Sequence, residues 1–162
     1  MTLADKIKKI KMVVTDIDGV WTDGKMYYSA SGDSMRGFST YDGMAVALLK
    51  EKGISLAIIS GEDSDIVASR AQKLGVDEVY LGEKEKIKRL MYLVKKYNIN
   101  IDEVAFIGDD VLDIECLESV GLSALSANSP IVGSCGVDIV TQRAGGDGAF
   151  REFIDIILGR QP

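Results

Sequence analysis

The chain contains no histidine. That absence removes Ser-His-Asp and Cys-His nucleophiles, histidine metal centres and phosphohistidine chemistry together. Its two cysteines, Cys116 and Cys135, form no CxxC pair, so neither a disulfide framework nor a cysteine zinc site is indicated, and both read as small core residues. Proline is scarce, at 2 of 162 residues, and no tandem repeat or low-complexity linker divides the chain. Charges interrupt every hydrophobic run short of the roughly 20 apolar residues that span a bilayer. The basic amino terminus lacks an apolar stretch of signal-peptide length, so a cytoplasmic protein without a membrane partner is expected. A basic excess is missing too: 25 acidic side chains against 19 basic ones give a net charge of −6, which argues against wrapping around nucleic acid. Catalysis is left to carboxylates, hydroxyls, lysine and a hard metal ion.

With 46% apolar and 27% charged residues, the composition is that of one ordinary globular domain spanning 1–162, large enough for a single core. Apolar runs at 10–15, 54–59, 104–107, 121–125 and 137–140 alternate with helical patterns at 43–51, 64–74, 84–97, 111–120 and 149–158. Strand and helix in alternation mark an α/β fold with a parallel sheet and crossover helices. The segment 20–38 departs from it. With Tyr27, Tyr28 and Phe38 among Gly24, Gly32 and Gly37, it reads as a β-hairpin inserted after strand 1, with exposed aromatics that need a partner. Its position puts it at the carboxyl edge of the sheet, where open α/β folds bind ligands. The glycine-rich stretch 143–148 reads as a mobile loop.

The first apolar run ends Asp16-Ile17-Asp18-Gly19. Alternation along an extended chain sends Asp16 and Asp18 to one side. Like charges that close call for a cation, and Mg2+, which takes oxygen ligands from one or two carboxylates plus a phosphate, fits them. The same pattern also suits a surface turn. The third run ends Gly108-Asp109-Asp110, with Asp113 following. Asp109 would add a third carboxylate to the rim, while Asp110 and Asp113 also suit helix capping. The second run ends Ser60-Gly61, offering a hydroxyl and backbone amides to a phosphate oxygen. One of Lys84, Lys86 and Lys88 is placed to reach the rim and balance its charge.

In this order the residues resemble the haloacid dehalogenase superfamily of phosphotransferases, over nearly the whole chain. Asp16 and Asp18 match its first motif, Ser60 its second, Lys86 its third, and Gly108-Asp109-Asp110 with Asp113 its fourth. DIDGVWTDG, FSTYDG and RAGGDGAFREF are similar to the small phosphatases of 2-keto-3-deoxy sugar acids, a group that includes octulosonate 8-phosphate and nonulosonate 9-phosphate phosphatases. The resemblance implies a Rossmann-like three-layer fold without a large cap domain and a homotetramer in which the hairpins meet and a neighbour closes the site. It further implies Asp16 as nucleophile, Asp18 as general acid and base, and Mg2+ held by Asp16, the Asp18 carbonyl and Asp109. Phosphate would be bound by Ser60, Gly61 and Lys86, with Asp110 and Asp113 supporting the ligands.

Octulosonate 8-phosphate phosphatases commonly carry Gly-Arg after the second-motif hydroxyl, whereas this chain has Gly61-Glu62. Glu62 with Arg70 and Lys73 is more similar to the nonulosonate group. Arg70 and Lys73 share a helical face and are expected to meet the substrate carboxylate, with Arg143 helping to close the sugar site. On spacing alone they equally form a surface ion cluster with Glu62, and Arg143 equally lies on the surface. Two other functions were open to these residues. A phosphoacceptor receiver domain also gathers acids, a hydroxyl and a lysine, but around an adjacent acidic pair, not the spaced Asp16 and Asp18. A non-catalytic oligomerisation module of a sugar-nucleotide synthetase would be expected to have lost the acids.

Overall fold

The structure, a computed structural model, describes residues 1–160. Six parallel strands form one sheet in the order β5-β4-β1-β6-β7-β8: β1 (Met12–Thr15), β4 (Ser55–Ile59), β5 (Glu78–Tyr80), β6 (Val104–Gly108), β7 (Leu122–Leu125) and β8 (Ile139–Val140). A separate two-stranded antiparallel ribbon, β2 (Tyr27–Ser29) and β3 (Gly32–Met35), follows β1. The expected inserted hairpin is therefore present, but its strands are shorter than 20–38. Val20, Trp21 and Thr22 are buried instead. The Trp21 indole donates to the Thr15 hydroxyl at 3.1 Å and its ring lies 4.7 Å from that of Phe150.

Period-two burial sorts the strand residues onto two faces. Val13, Ile58, Ala105 and Ile107 meet α2 (Thr40–Glu51), α3 (Asp65–Leu74) and α6 (Ala149–Ile157), while Met12, Val14, Ala57, Ile59, Val104 and Phe106 meet α4 (Lys86–Tyr97) and α5 (Ile114–Ser119). In α6 the apolar residues Phe150, Phe153, Ile154 and Ile157 follow helical spacing, which sets one face into the core. The result is a three-layer α/β sandwich with no large cap.

The structure adds two elements to those expected from the sequence and corrects two expectations. β5 was not anticipated, because its three residues include the acidic Glu78 and are too few for a periodic signal; nor was the short α1 (Leu3–Ile7), held by a Thr2–Asp5 capping box. Phe38 is not a free hairpin aromatic but packs against the core under Arg70, whose guanidinium stands 5.8 Å from the ring centroid. The glycine-rich stretch is docked, not loose. The Gly145 amide donates to Asn128 and that of Gly146 to the Val20 carbonyl, while a Cβ at Gly145 would lie 2.0 Å from the Gly19 carbonyl oxygen. Glu152 accepts from the Gln142 and Arg143 amides, both at 2.8 Å, and fixes the segment before it.

Asp42, from the FSTYDG motif, accepts the Arg151 amide at 2.8 Å. The residue preceding α6 is Gly148, which has no side chain to cap it, so a carboxylate from α2 serves that helix start. Among the described residues no helix is long and apolar enough to cross a membrane.

Candidate active site

β1 lies between β4 and β6 with its end flush against both, Thr15 pairing with Ile58 and with Ile107. The chain runs outward from β1 through β4 to β5, then returns to β6 on its other side. This change of direction opens a crevice beyond the carboxyl ends of the strands, the place where open parallel sheets bind ligands. Asp16, Ser60 and Asp109 leave β1, β4 and β6 at this edge, and a cleft of about 340 Å3 lies among them. Asp16, Asp18, Ser60, Gly61, Glu62, Lys86, Asp109, Asp110 and Asp113 all line it. Gly24 lines it as well, and the wall is completed by three further residues, Met26 from the base of the hairpin and Val111 and Leu112 from the turn after β6. These three were not singled out by their sequence, since nothing local marks them.

Of the three candidate lysines, Lys86 faces the carboxylates. Its side chain is only 2% exposed and reaches Asp113 at 2.6 Å and Asp16 at 3.0 Å. Lys84 instead turns outward to the Gly61 carbonyl and Glu62, and Lys88 pairs with Glu85. Burial alone opposes the charge on Lys86, yet the Asp16 and Asp113 carboxylates outweigh it and raise its pKa. Both oxygens of Asp113 are engaged, one by Lys86 and the other by the Asp109 amide at 2.9 Å and the Asp110 amide at 3.4 Å. A Cβ at Gly108 would lie 2.4 Å from the same carboxylate, so glycine at that position gives Asp113 its seat.

Carboxylate oxygens of Asp16, Asp109 and Asp113 lie within 4.8 Å of one another. Desolvation, then the charge of Asp113, pushes Asp16 up to about 7 against the pull of Lys86. Desolvation and the charges of Asp16, Asp113 and Asp110 push Asp109 up to about 8. Oδ1 of Asp16 is buried without a hydrogen-bond partner among the described residues. An all-oxygen donor set with a free buried oxygen and repelling charges fits a hard divalent cation. Since Asp113 is committed to Lys86 and two amides, the oxygens left for a cation are those of Asp16 and Asp109.

Asp18 stands apart from this group. It is raised by desolvation, with Arg36 pulling the other way, and Arg36 donates to both its oxygens at 2.8 Å. The Thr22 hydroxyl lies 3.4 Å from Oδ1. Asp16 and Asp18 thus face one cleft, as the sequence led one to expect, but Asp18 is not in the cluster with Asp109 and Asp113: the Asp16 amide still donates to the Ile107 carbonyl at 3.0 Å in continuation of β1, whereas Asp18 lies in the turn that follows. Arg36 was overlooked, as a lone cation in a hairpin carries no motif. The Ser60 hydroxyl accepts the Glu62 amide at 3.4 Å. Arg70, Lys73 and Arg143 lie outside the cleft wall. Arg70 packs on Phe38, while Lys73 and Arg143 are exposed.

The family model for haloacid dehalogenase-like hydrolases matches residues 38–121. The 3-deoxy-D-manno-octulosonate 8-phosphate phosphatase of Haemophilus influenzae is 38% identical over 98% of this chain and 88% of its own. The protein of the same name from Escherichia coli K12 is 34% identical over 94% of this chain and 81% of its own. Among solved structures, the cobalt-bound H. influenzae phosphatase superposes with a TM-score of 0.91 at 38% identity, covering 95% of this chain and 90% of that one. The Moraxella catarrhalis phosphatase, in complex with magnesium, phosphate and KDO, gives a TM-score of 0.89 at 34% identity, covering 97% and 90%.

Proposed function

The chain belongs to the haloacid dehalogenase-like hydrolases, and from that premise we propose that it is a magnesium-dependent phosphomonoesterase acting on a 2-keto-3-deoxy sugar acid phosphate. The observation that carries the reading is the placement of Asp16, buried at the switch point with one oxygen on Lys86 and the other unpartnered.

Asp16 attacks phosphorus, the bond to the sugar oxygen breaks, and that oxygen takes a proton from the Asp18 carboxyl. Asp18, now ionised, removes a proton from water as the water oxygen attacks the aspartyl-phosphate. The phosphorus–Asp16 bond then breaks, releasing phosphate and restoring the free carboxylate. Dividing one displacement into two lowers each barrier, and one group serving as acid and then as base is general acid–base catalysis in sequence. Lys86, Ser60 and the Gly61 amide stabilise charge on the phosphoryl oxygens. Asp16, Asp109 and the Asp18 carbonyl would hold Mg2+, which supplies charge neutralisation when bound. Asp113 keeps Lys86 and the Asp109 turn in place, and Asp110 caps the turn after β6 by accepting the Val111 amide.

The names of the relatives favour 3-deoxy-D-manno-octulosonate 8-phosphate as substrate. Glu62 at the lip of the cleft, where arginine is common in that group, favours a nine-carbon 9-phosphate as the second reading. The resemblance of Glu62, Arg70 and Lys73 to the nonulosonate group supports a role for Arg70, Lys73 and Arg143 at the far end of the sugar acid, which they would reach only from a neighbouring subunit of a homotetramer, as they lie outside the cleft wall of their own chain. The enzyme works in the cytoplasm as one domain. Phosphate release from a panel of both sugar acid phosphates with Mg2+ tests the reading. Release from either sugar acid phosphate well above that from simple sugar phosphates supports it, and indiscriminate or absent hydrolysis rejects it.

A further inference from the structure

Arg36 belongs to none of the motifs that pointed to the cleft and does not line it, yet its side chain is only 1% exposed. Nη1 donates to Oδ1 and Oδ2 of Asp18, at 2.8 Å each. On its other edge, Nε and Nη2 both meet Oδ2 of Asp33, at 2.9 Å. The same Asp33 oxygen accepts from the Ser64 hydroxyl at 3.1 Å. Ser64 precedes α3 and makes no side-chain cap to its own helix, so its hydroxyl is committed to the hairpin. A continuous line of polar contacts thus runs from the start of α3, through β3, to the turn after β1.

A guanidinium is planar and its donors have fixed directions. Once Asp33 holds one edge, the position of Nη1 is set, and with it the carboxylate that Nη1 binds. A buried ion pair is a poor source of net stability because desolvation offsets attraction, so its main physical effect here is orientation. Apart from Arg36, only the distant Thr22 hydroxyl fixes Asp18 among the described residues. Asp18 is also outside the group of carboxylates that gathers at Asp16 and Asp109. A side chain released by Arg36 would be free to turn toward that group and away from the leaving group.

We propose that Arg36 is the positioning residue for Asp18: it sets the orientation of the acid–base carboxylate and makes that orientation depend on the seating of the hairpin against α3. The proposal rests on the proton-transfer role of Asp18 given above and goes beyond it in assigning Arg36, Asp33 and Ser64 to one tether.

The test compares two substrates that differ in their need for proton donation. A sugar phosphate leaves as a basic alkoxide, whereas p-nitrophenyl phosphate leaves as a stable phenolate. Arg36→Gln should lower kcat/KM, which reads formation of the aspartyl-phosphate, roughly 10- to 100-fold on the sugar phosphate, the scale of a misplaced catalytic group, with a much smaller loss on the nitrophenyl ester. Arg36→Lys should recover part of the loss. Asp33→Asn, which keeps the cation but loosens its anchor, should show the same selectivity in a milder form, and it decides the matter if Arg36→Gln fails to fold. Asp18→Asn separates the two claims. Equal losses in kcat/KM on both esters in Asp18→Asn would overturn the acid role itself, because kcat/KM excludes the later hydrolysis in which Asp18 acts as base on both alike. Selective loss in Asp18→Asn, with no selectivity in folded Arg36→Gln or in Asp33→Asn, would overturn the tether.

Discussion

A Cβ placed on Gly19 would stand 1.8 Å from Oδ2 of Asp109, so the turns after β1 and β6 fit together only because one of them is glycine at their closest approach. Gly19 also has φ +80, which L side chains adopt at a cost of about 1–2 kcal/mol. Gly19→Ala should therefore force Asp109 aside. We expect a fall in melting temperature of roughly 2–8 °C and a drop of about 10- to 100-fold in Mg2+ affinity, read by thermal denaturation and calorimetry. An alanine variant with unchanged metal affinity would show that Asp109 is not held by this contact.

Replacing Asp16 separates chemistry from folding. Asp16→Asn keeps the side-chain volume but cannot attack phosphorus, so turnover should vanish. The same change removes a buried charge whose main opposition is desolvation and the neighbouring Asp113, while Lys86 keeps its contact with Asp113. Without divalent metal the variant should melt no lower than the parent protein. Measurable phosphate release by the folded variant would remove Asp16 as nucleophile.

Metal binding should release protons. Asp16 is raised to about 7 by desolvation and the charge of Asp113, and Asp109 to about 8 by desolvation and the charges of Asp16, Asp113 and Asp110, so near neutrality the metal-free site holds protons that a cation must displace. Mg2+ affinity is expected to rise as pH increases from 6 to 8 and to level off above that range. Calorimetry in buffers of different ionisation enthalpy reads the proton count directly, and a pH-independent affinity with no proton release would contradict the raised carboxylates.

The parts of this site visible in the sequence are those fixed by strand ends. Asp16, Ser60 and Asp109 each follow an apolar run, and parallel strands bring such positions to one edge whatever the rest of the chain does. Lys86 was distinguishable from Lys84 and Lys88 only through the family resemblance, because the rotation of α4 about its axis depends on how Leu90 and Leu93 pack. Arg36 left no trace, since its partners are Asp18 across the fold and Asp33 within an irregular hairpin. The docking of Gly145 on Gly19 was likewise invisible. Glycine permits close approach and mobility alike, and only the tertiary contact distinguishes them.

Asp42 offers a test by pH that is independent of catalysis. Desolvation raises it to about 6 despite the amide of Arg151, which it accepts. The folded protein therefore binds a proton more tightly than the unfolded chain, where aspartate titrates near 3.9. Stability from this group is fully present below that value and is lost as pH rises through about 6, a contribution on the order of 3 kcal/mol. Asp42→Asn keeps an acceptor for Arg151 and abolishes the titration. Its stability relative to the parent should grow between pH 4 and pH 6.5, as measured by urea denaturation. A constant difference across that interval would show that Asp42 is ionised in the fold at its ordinary pKa.

The hairpin carries the remaining prediction. Tyr28 is 68% exposed, and Tyr27 and Met35 on the hairpin and Tyr41 and Met44 on α2 are also exposed, an apolar set that contact with further copies of the chain would cover. Packing hairpins from four chains together would bury it and bring additional cations toward each cleft, which in one chain has neither Arg70 nor Arg143 in its wall. Sedimentation equilibrium should therefore give a tetramer, and Tyr28→Lys should dissociate it with a loss of activity on sugar acid phosphates. Arg70→Ala should raise KM for a substrate bearing a carboxylate and barely change hydrolysis of a small phosphate ester without one, because Arg70 lies away from the phosphate end of the cleft. A fully active monomer would end the assembly claim. Equal losses on the two substrates, in a tetramer that remains intact, would end the assignment of Arg70 to the carboxylate while leaving the phosphoryl-transfer residues untouched.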